Sequence, residues 1–181
     1  YMSLASMNGA GFIGGNNKVV YQMVGQPVGV FYLPKSDGLV DKEGNGVYTY
    51  HVVNLDGNKK IELEDGKDRY IAGQAMPKFY LGGNISFRYK QFDIQTQFTG
   101  AFGHKIYNGT SLTYMNMSQF PTYNVMTGAP EKNIHDQTVT DYWLERGDYV
   151  HFDYVTLGWN LNTKNLKNVN ALRLTFSVNN L

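Results

Sequence analysis

Residues able to do catalytic or metal chemistry are sparse in this chain, and none stand in the spacings that such chemistry needs. The four histidines, His51, His104, His135 and His151, are scattered, and none sits in a metal or base spacing such as H-E-x-x-H. No G-x-S-x-G segment supplies a nucleophile elbow. Cysteine is absent, which excludes disulfide frameworks, thiolate zinc sites and cysteine nucleophiles together. Carboxylate pairs such as Glu62 and Glu64 lie in charge-rich loop sequence, where solvation is the ordinary explanation.

Two segments imitate ligand-binding loops. Gly9-Ala10-Gly11-Phe12-Ile13-Gly14 matches the dinucleotide fingerprint letter for letter, but that motif needs a strand before it, a helix after it and an acid about 20 residues on. Gly25 and Pro27 follow too soon for a good helix, and the first acid is Asp37, so a glycine-rich loop is the expected state. The segment 52–63 places Asn54, Asp56 and Gly57 at the third, fifth and sixth places of a calcium loop. Its first place is Val52 and its twelfth Leu63, so two carboxylates that carry the charge are missing, although Glu62 and Glu64 flank the latter. A solvated loop is expected there too. The expected set of catalytic, cofactor and metal residues is therefore empty, and no ligand-binding residue is assigned.

Charged residues make up 17% of the 181 and glycine 20 of them, against about 25% and about 7% in ordinary domains. Aromatics reach 14%, enough to exclude a disordered chain at so small a net charge. Sixteen Lys and Arg against 15 Asp and Glu give no basic footprint for nucleic acid. No apolar run of membrane-helix length exists and no basic-then-apolar start marks a signal peptide, yet transmembrane strands need no such run, because their lipid-facing and lumen-facing residues alternate.

That alternation is the dominant pattern, broken by Gly, Asn and Asp at turn-like positions. Phe79, Leu81, Gly83, Ile85, Phe87 and Tyr89 share one parity, opposed by Tyr80, Asn84, Ser86, Arg88 and Lys90. Phe92, Ile94, Thr96, Phe98 and Phe102 repeat it against Asp93, Gln95, Gln97 and Thr99, and Leu172, Leu174, Phe176 and Val178 against Arg173, Thr175 and Ser177. Between 148 and 161 the parity slips, since Val150 and Phe152 disagree with Val155, Leu157 and Trp159. A β-bulge near Asp153 and Tyr154 restores one apolar face.

Connections alternate in length: a tight turn at Lys90 and Gln91 and about ten residues after Leu161, but 45 residues from 103 to 147, and longer still from 25 to 76, where a hairpin fits. Soluble sandwiches have uniformly short loops, whereas outer-membrane barrels pair short periplasmic turns with long extracellular loops. The expected fold is all-β, with antiparallel strands forming part of a large transmembrane β-barrel. The polar interior of such a barrel makes Arg88, Arg173, Asn84, Gln95 and Gln97 candidates for lumen-facing positions. In the long loop, Tyr107, Tyr114, Phe120, Tyr123, Tyr142 and Trp143 either stack on a ligand or partner, or give the loop its own small core.

The order of these signals resembles the C-terminal barrel region of the SusC/RagA family of TonB-dependent outer-membrane transporters from Bacteroidetes. The resemblance rests on Gly25-Gln-Pro-Val-Gly-Val-Phe31-Tyr32 followed by Asp37-Gly38. It continues through Asp68-Arg69, Ile71 and Gly73, then Pro77-Lys-Phe79 and Gly82-Gly83, then Tyr89-Lys90-Gln91-Phe92-Asp93-Ile94. Further on, Gly103 with Ile106-Tyr107-Asn108 looks like the exit into the large loop. Glu145-Arg146-Gly147-Asp148-Tyr149-Val150 through Tyr154-Val155-Thr156-Leu157-Gly158-Trp159 is similar to the most recognisable stretch, and Leu172-Arg173-Leu174, Ser177 and Asn180-Leu181 follow. The 52–63 segment resembles the calcium-loop-like insertion of many members.

The resemblance implies that residues 1–181 are the C-terminal part of a receptor barrel, a fragment with the plug domain, TonB box and last strand outside it. It implies a bacterial outer-membrane importer, not an enzyme and with no cofactor, whose partners are a SusD-like surface lipoprotein, TonB through the N-terminal region, outer-membrane lipid and an oligosaccharide or peptide substrate, with no nucleic acid. The competing expectation is a soluble all-β carbohydrate- or protein-binding module such as a lectin-like sandwich, in which the same alternation faces a protein core.

Overall fold

The computed structural model describes residues 19–23, 25–53, 55, 69–163 and 168–181. The glycine-rich segment 9–14, Asp68 and most of the 52–63 segment lie outside the described residues. In chain order the strands are β1 (Val20–Tyr21), β2 (Val30–Pro34), β3 (Ser36–Val40), β4 (Thr49–Val52), β5 (Arg69–Gln74), β6 (Phe79–Tyr89), β7 (Phe92–Phe102), β8 (Lys105–Tyr107), β9 (Leu144–Arg146), β10 (Tyr149–Leu161) and β11 (Leu172–Asn179). Two short helices, α1 (Gly109–Tyr114) and α2 (Ala129–Lys132), stand between β8 and β9. The chain divides into two compact units, one made of the described residues of Tyr1–Met76 with His104–Arg146, the other of Pro77–Gly103 with Gly147–Leu181.

The first unit is built from loops that carry their own core. β2 pairs with β1 on one side and β5 on the other, and the Gly-Gln-Pro-Val-Gly segment enters it at Gly29, whose φ of 76° is a left-handed value that glycine adopts without penalty. The hairpin expected between 25 and 76 is β3–β4. Its turn closes on Asp41, whose carboxylate accepts the N–H groups of Glu43, Gly44, Asn45 and Gly46. Those donors, that of Gly46 first, hold the Asp41 carboxyl below its usual value.

Residues 104–146 fold against that hairpin instead of hanging free. Ile134 bridges in parallel to both Tyr48 and Asn116. Asp136 Oδ2 accepts the Tyr50 N–H at 3.0 Å, and Asp141 Oδ1 accepts that of Ser36 at 2.6 Å. Trp143 Nε1 donates to the Tyr50 hydroxyl at 2.7 Å. Around these bonds Phe31, Leu33, Tyr50, Leu112, Ile134, Val139 and Trp143 form one buried cluster. At the loop's base β8 pairs with β9, and Glu145 Oε1 accepts from Asn108 Nδ2 while the Asn108 Oδ1 caps α1 by accepting from Ser111 N–H, a preferred N-cap role for Asn.

The second unit is a single antiparallel sheet in the order β11-β10-β7-β6. β6 and β7 meet at the two-residue turn Lys90-Gln91, with Tyr89 opposite Phe92 and Lys90 at a left-handed φ of 53°. The register between β7 and β10 slips between Phe152 and Tyr154, which is the bulge that the parity change predicts. Asp148 Oδ1 accepts the Gly103 N–H at 2.6 Å, tying the two chain segments together where the sheet ends.

Two outcomes test the first unit. Ile134 is fully buried, so Ile134→Ala should cost about 2 to 5 kcal/mol, and limited proteolysis should cut within residues 104–146 faster than in the wild type. Burial pushes the Tyr50 phenol up to about 12 from 10.0, with the Trp143 N–H opposing the shift and the Asp136 charge adding to it. A folded value raised above the unfolded one means that this contribution is complete below about pH 10 and is lost as pH rises toward about 12. Tyrosinate absorbance should therefore show a late phase that loses one tyrosine's amplitude in Tyr50→Phe and that coincides with loosening of the loop.

Candidate functional site on a two-faced sheet

Registers across the second unit align the apolar parities of all four strands into continuous rows. Ile85, Thr96, Val155 and Val178 form one row, Phe87, Ile94, Leu157 and Phe176 the next, and Tyr89, Phe92, Trp159 and Leu174 the one nearest the turn. No charge interrupts this face. It is also bare: Phe87 is 60% exposed, Phe176 65% and Leu174 52%, so no layer of the second unit covers it. Where the rows would crowd, glycine gives way. A Cβ at Gly83 would lie 2.5 Å from the Phe98 ring, so that ring lies flat over the neighbouring strand. Aromatic stacks stand at both ends, Phe79 on Phe102 and Phe92 on Trp159.

The opposite face encloses charge. Asp93, with its side chain 3% exposed, accepts from Arg173 Nη2 at 2.7 Å and is approached by Asn160 Nδ2 at 3.5 Å. The pair reaches across β10 and passes over Gly158, where a Cβ would sit 2.6 Å from Arg173 and 2.7 Å from Asp93. Glycine is required there because two side chains occupy its side-chain space. Arg88 stands opposite Asp93 in the register. Further along, Asn84 Nδ2 donates to the Tyr154 hydroxyl at 3.2 Å, Thr156 shares a 2.7 Å bond with Ser177, and Thr99 Oγ1 donates to Asp153 Oδ1 at the bulge.

The candidate lumen residues Arg88, Arg173, Asn84, Gln95 and Gln97 thus share one face. The sequence reading missed Asp93 as the carboxylate that Arg173 needs, although a lone acid opposite Arg88 and a glycine within the adjoining strand were its visible signals. The loop aromatics divide: Tyr107, Tyr142 and Trp143 belong to the first unit's core, whereas Tyr114, Phe120 and Tyr123 are exposed. The histidines stay apart; His51 pairs with Asp37 and His151 lies 3.9 Å from Asp153. Among the described residues no three His, Asp or Glu gather to hold a metal ion.

A sheet that encloses charge on one face and bares uncharged aliphatic and aromatic rows on the other is the wall of a transmembrane β-barrel. β6 has eleven residues, whose successive steps of about 3.4 Å carry the first Cα about 34 Å from the last. Tilted by about 40°, such a strand rises about 26 Å, the height of the apolar band of outer-membrane barrels.

Known proteins agree with this class. No family model matches the chain. TonB-dependent receptor P3 of Formosa agariphila is 30% identical over 117 residues, which are 60% of this chain and 11% of that receptor. A structure of the RagAB peptide transporter superposes with a TM-score of 0.66 at 15% identity, over 91% of this chain and 20% of that one. RagAB in its closed-closed state gives 0.63 at 17% identity, covering 90% and 20%. The chain thus spans about a tenth of that curated relative and a fifth of the solved transporter chain. The fold resembles part of the RagA barrel, and the motif resemblance to TonB-dependent receptors holds in sequence as well. The lectin-like sandwich has no support in this fold. These relatives are a receptor and a transporter.

The face assignment has a direct test. Phe98→Arg, near the middle of β7, should destabilise the folded protein by about 2 to 4 kcal/mol at the bilayer midplane, and Gln97→Arg by much less. Equal losses in a refolding titration into lipid vesicles would refute it. Gly158→Ala should also cost about 1 to 3 kcal/mol through overpacking, and Gly158→Ala combined with Arg173→Ala should cost less than the sum of the two single changes.

Proposed function

We propose that the chain forms part of the wall of a TonB-dependent nutrient importer, in the C-terminal part of its barrel. Its sheet supplies lipid-facing surface on one side and lumen surface on the other, and residues 104–146 supply an ordered extracellular loop. The observation that supports this most is the uncharged face running unbroken over four strands, opposite an enclosed Asp93 paired with Arg173. A soluble sheet would cover the first and solvate the second.

The transported molecule is an oligopeptide or an oligosaccharide. It is taken from a SusD-like surface lipoprotein and imported with energy passed on by TonB. The peptide transporter among its structural relatives favours the oligopeptide, and the exposed Tyr114, Phe120 and Tyr123 suit either class, since aromatic faces stack on sugars and side chains alike.

Uptake by living cells tests this reading. Deleting the gene should abolish accumulation of one fluorescent class, labelled oligopeptides or labelled oligosaccharides, and deleting TonB should do the same. Unchanged uptake of both classes in both strains would refute it. An epitope inserted between Thr127 and Gly128 should bind antibody on intact cells unless the lipoprotein shields it, in which case removing the lipoprotein exposes it. Labelling at the Lys90 turn and not in the loop would invert the orientation.

A further inference from the structure

The apolar face is not uniform. A groove of about 520 Å³ opens near the β6–β7 turn, with Phe87, Leu157 and Phe176 along one side and Tyr89, Trp159 and Leu174 along the other. These belong to two adjacent rows of the face, two residues apart along each strand and so about 7 Å from one another. That is room for a single hydrocarbon chain and too little for a helix about 10 Å across.

A cation stands at the same end. Lys90 follows Tyr89 in the β6–β7 turn, with a left-handed φ of 53°, and its Nζ lies 5.2 Å from the centre of the Tyr89 ring. Tyr89 is itself a wall of the groove. An ammonium is therefore held next to the groove, over one of its walls and at the end of a membrane-spanning strand, which is headgroup depth. It is a cation beside a hydrocarbon-sized trough.

We propose that this groove is a phospholipid site, in which one acyl chain lies between the two rows and the phosphate pairs with the Lys90 ammonium. The inference rests on the barrel-wall reading above. It goes beyond the general lipid contact of such a wall, because it assigns one retained lipid to named residues and gives it an anionic group.

Native mass spectrometry of the full-length protein, extracted from its membrane, stripped of lipid and supplied with dioleoyl phosphatidylglycerol, tests it. The wild type should hold one lipid under activation that removes the rest. Leu157→Trp fills the trough and should lower that occupancy about tenfold, the equivalent of losing roughly two buried methylenes. Lys90→Glu should lower it as well, Lys90→Arg should preserve it, and Ile85→Trp, on the same face but outside the groove, should leave it unchanged. Heat-modifiable migration in gels verifies that each variant is a folded barrel. A barrel that holds no lipid, or that holds it equally in Leu157→Trp and Lys90→Glu, overturns the groove proposal alone. A wild-type dimer that Leu157→Trp converts to monomers would assign the groove to a second copy and overturn it too. A protein that never behaves as a barrel overturns the underlying reading, and the groove proposal with it.

Discussion

Hydrocarbon offers no hydrogen bonds, and most of this structure follows from that. A strand inside a bilayer must pair every backbone N–H and C=O with a neighbouring strand, so β6, β7, β10 and β11 run in long, nearly unbroken registers. The exception is the slip between Phe152 and Tyr154. The chain makes it good locally, because Asn180, at a positive φ of 66°, lets Asn180 N–H reach the Asp153 carbonyl and sets Leu181 in paired bonds with Phe152. The same solvent inverts the usual side-chain rule. Large apolar groups are left bare, and the charged pair Asp93–Arg173 is turned to the opposite face.

Order in the long loop has a different origin. Water surrounds it, so its backbone can be satisfied without pairing, and what holds it is a buried nucleus in which polar groups are individually accounted for. Asp136 and Asp141 are each spent on backbone N–H groups of the β3–β4 hairpin, and Tyr70 donates its hydroxyl to the second oxygen of Asp141. Burial, with that bond and the Asp141 charge adding to it, holds the Tyr70 phenol well above its usual value. Tyr107 is pushed the same way by burial first. Lys132 completes the arrangement by lying 4.9 Å from the Trp143 ring centre, a cation over an aromatic face. Tethers of this kind give a loop a definite shape.

Legibility in the sequence followed the physics of each part. A strand facing two solvents must alternate, so the bounds of β6, β7 and β11, the turn at Lys90 and the bulge near Asp153 could all be read from parity. The interior of residues 104–146 could not, because its helices are six and four residues long, too short for a 3.6-residue period to register. Its tethers join residues about 90 apart, such as Trp143 to Tyr50, and carry no local pattern. The six loop aromatics could be counted but not sorted into core and surface, since that division depends on which of them meet the hairpin.

The Asp93–Arg173 pair shows why composition alone understates such a site. An isolated carboxylate buried to this degree would be costly, and Asp93 is held at 2.7 Å by a guanidinium whose own side chain is still 42% exposed. One partner is thus anchored and the other keeps contact with solvent. The arrangement needs three strands at once: the acid on β7, the arginine on β11 and, between them on β10, a residue without a Cβ. Gly158 therefore does not mark a weak point in its strand. It is the space through which two strands that are not neighbours interact, and a larger residue there would separate β7 from β11 on the polar face while leaving every backbone bond of the wall in place.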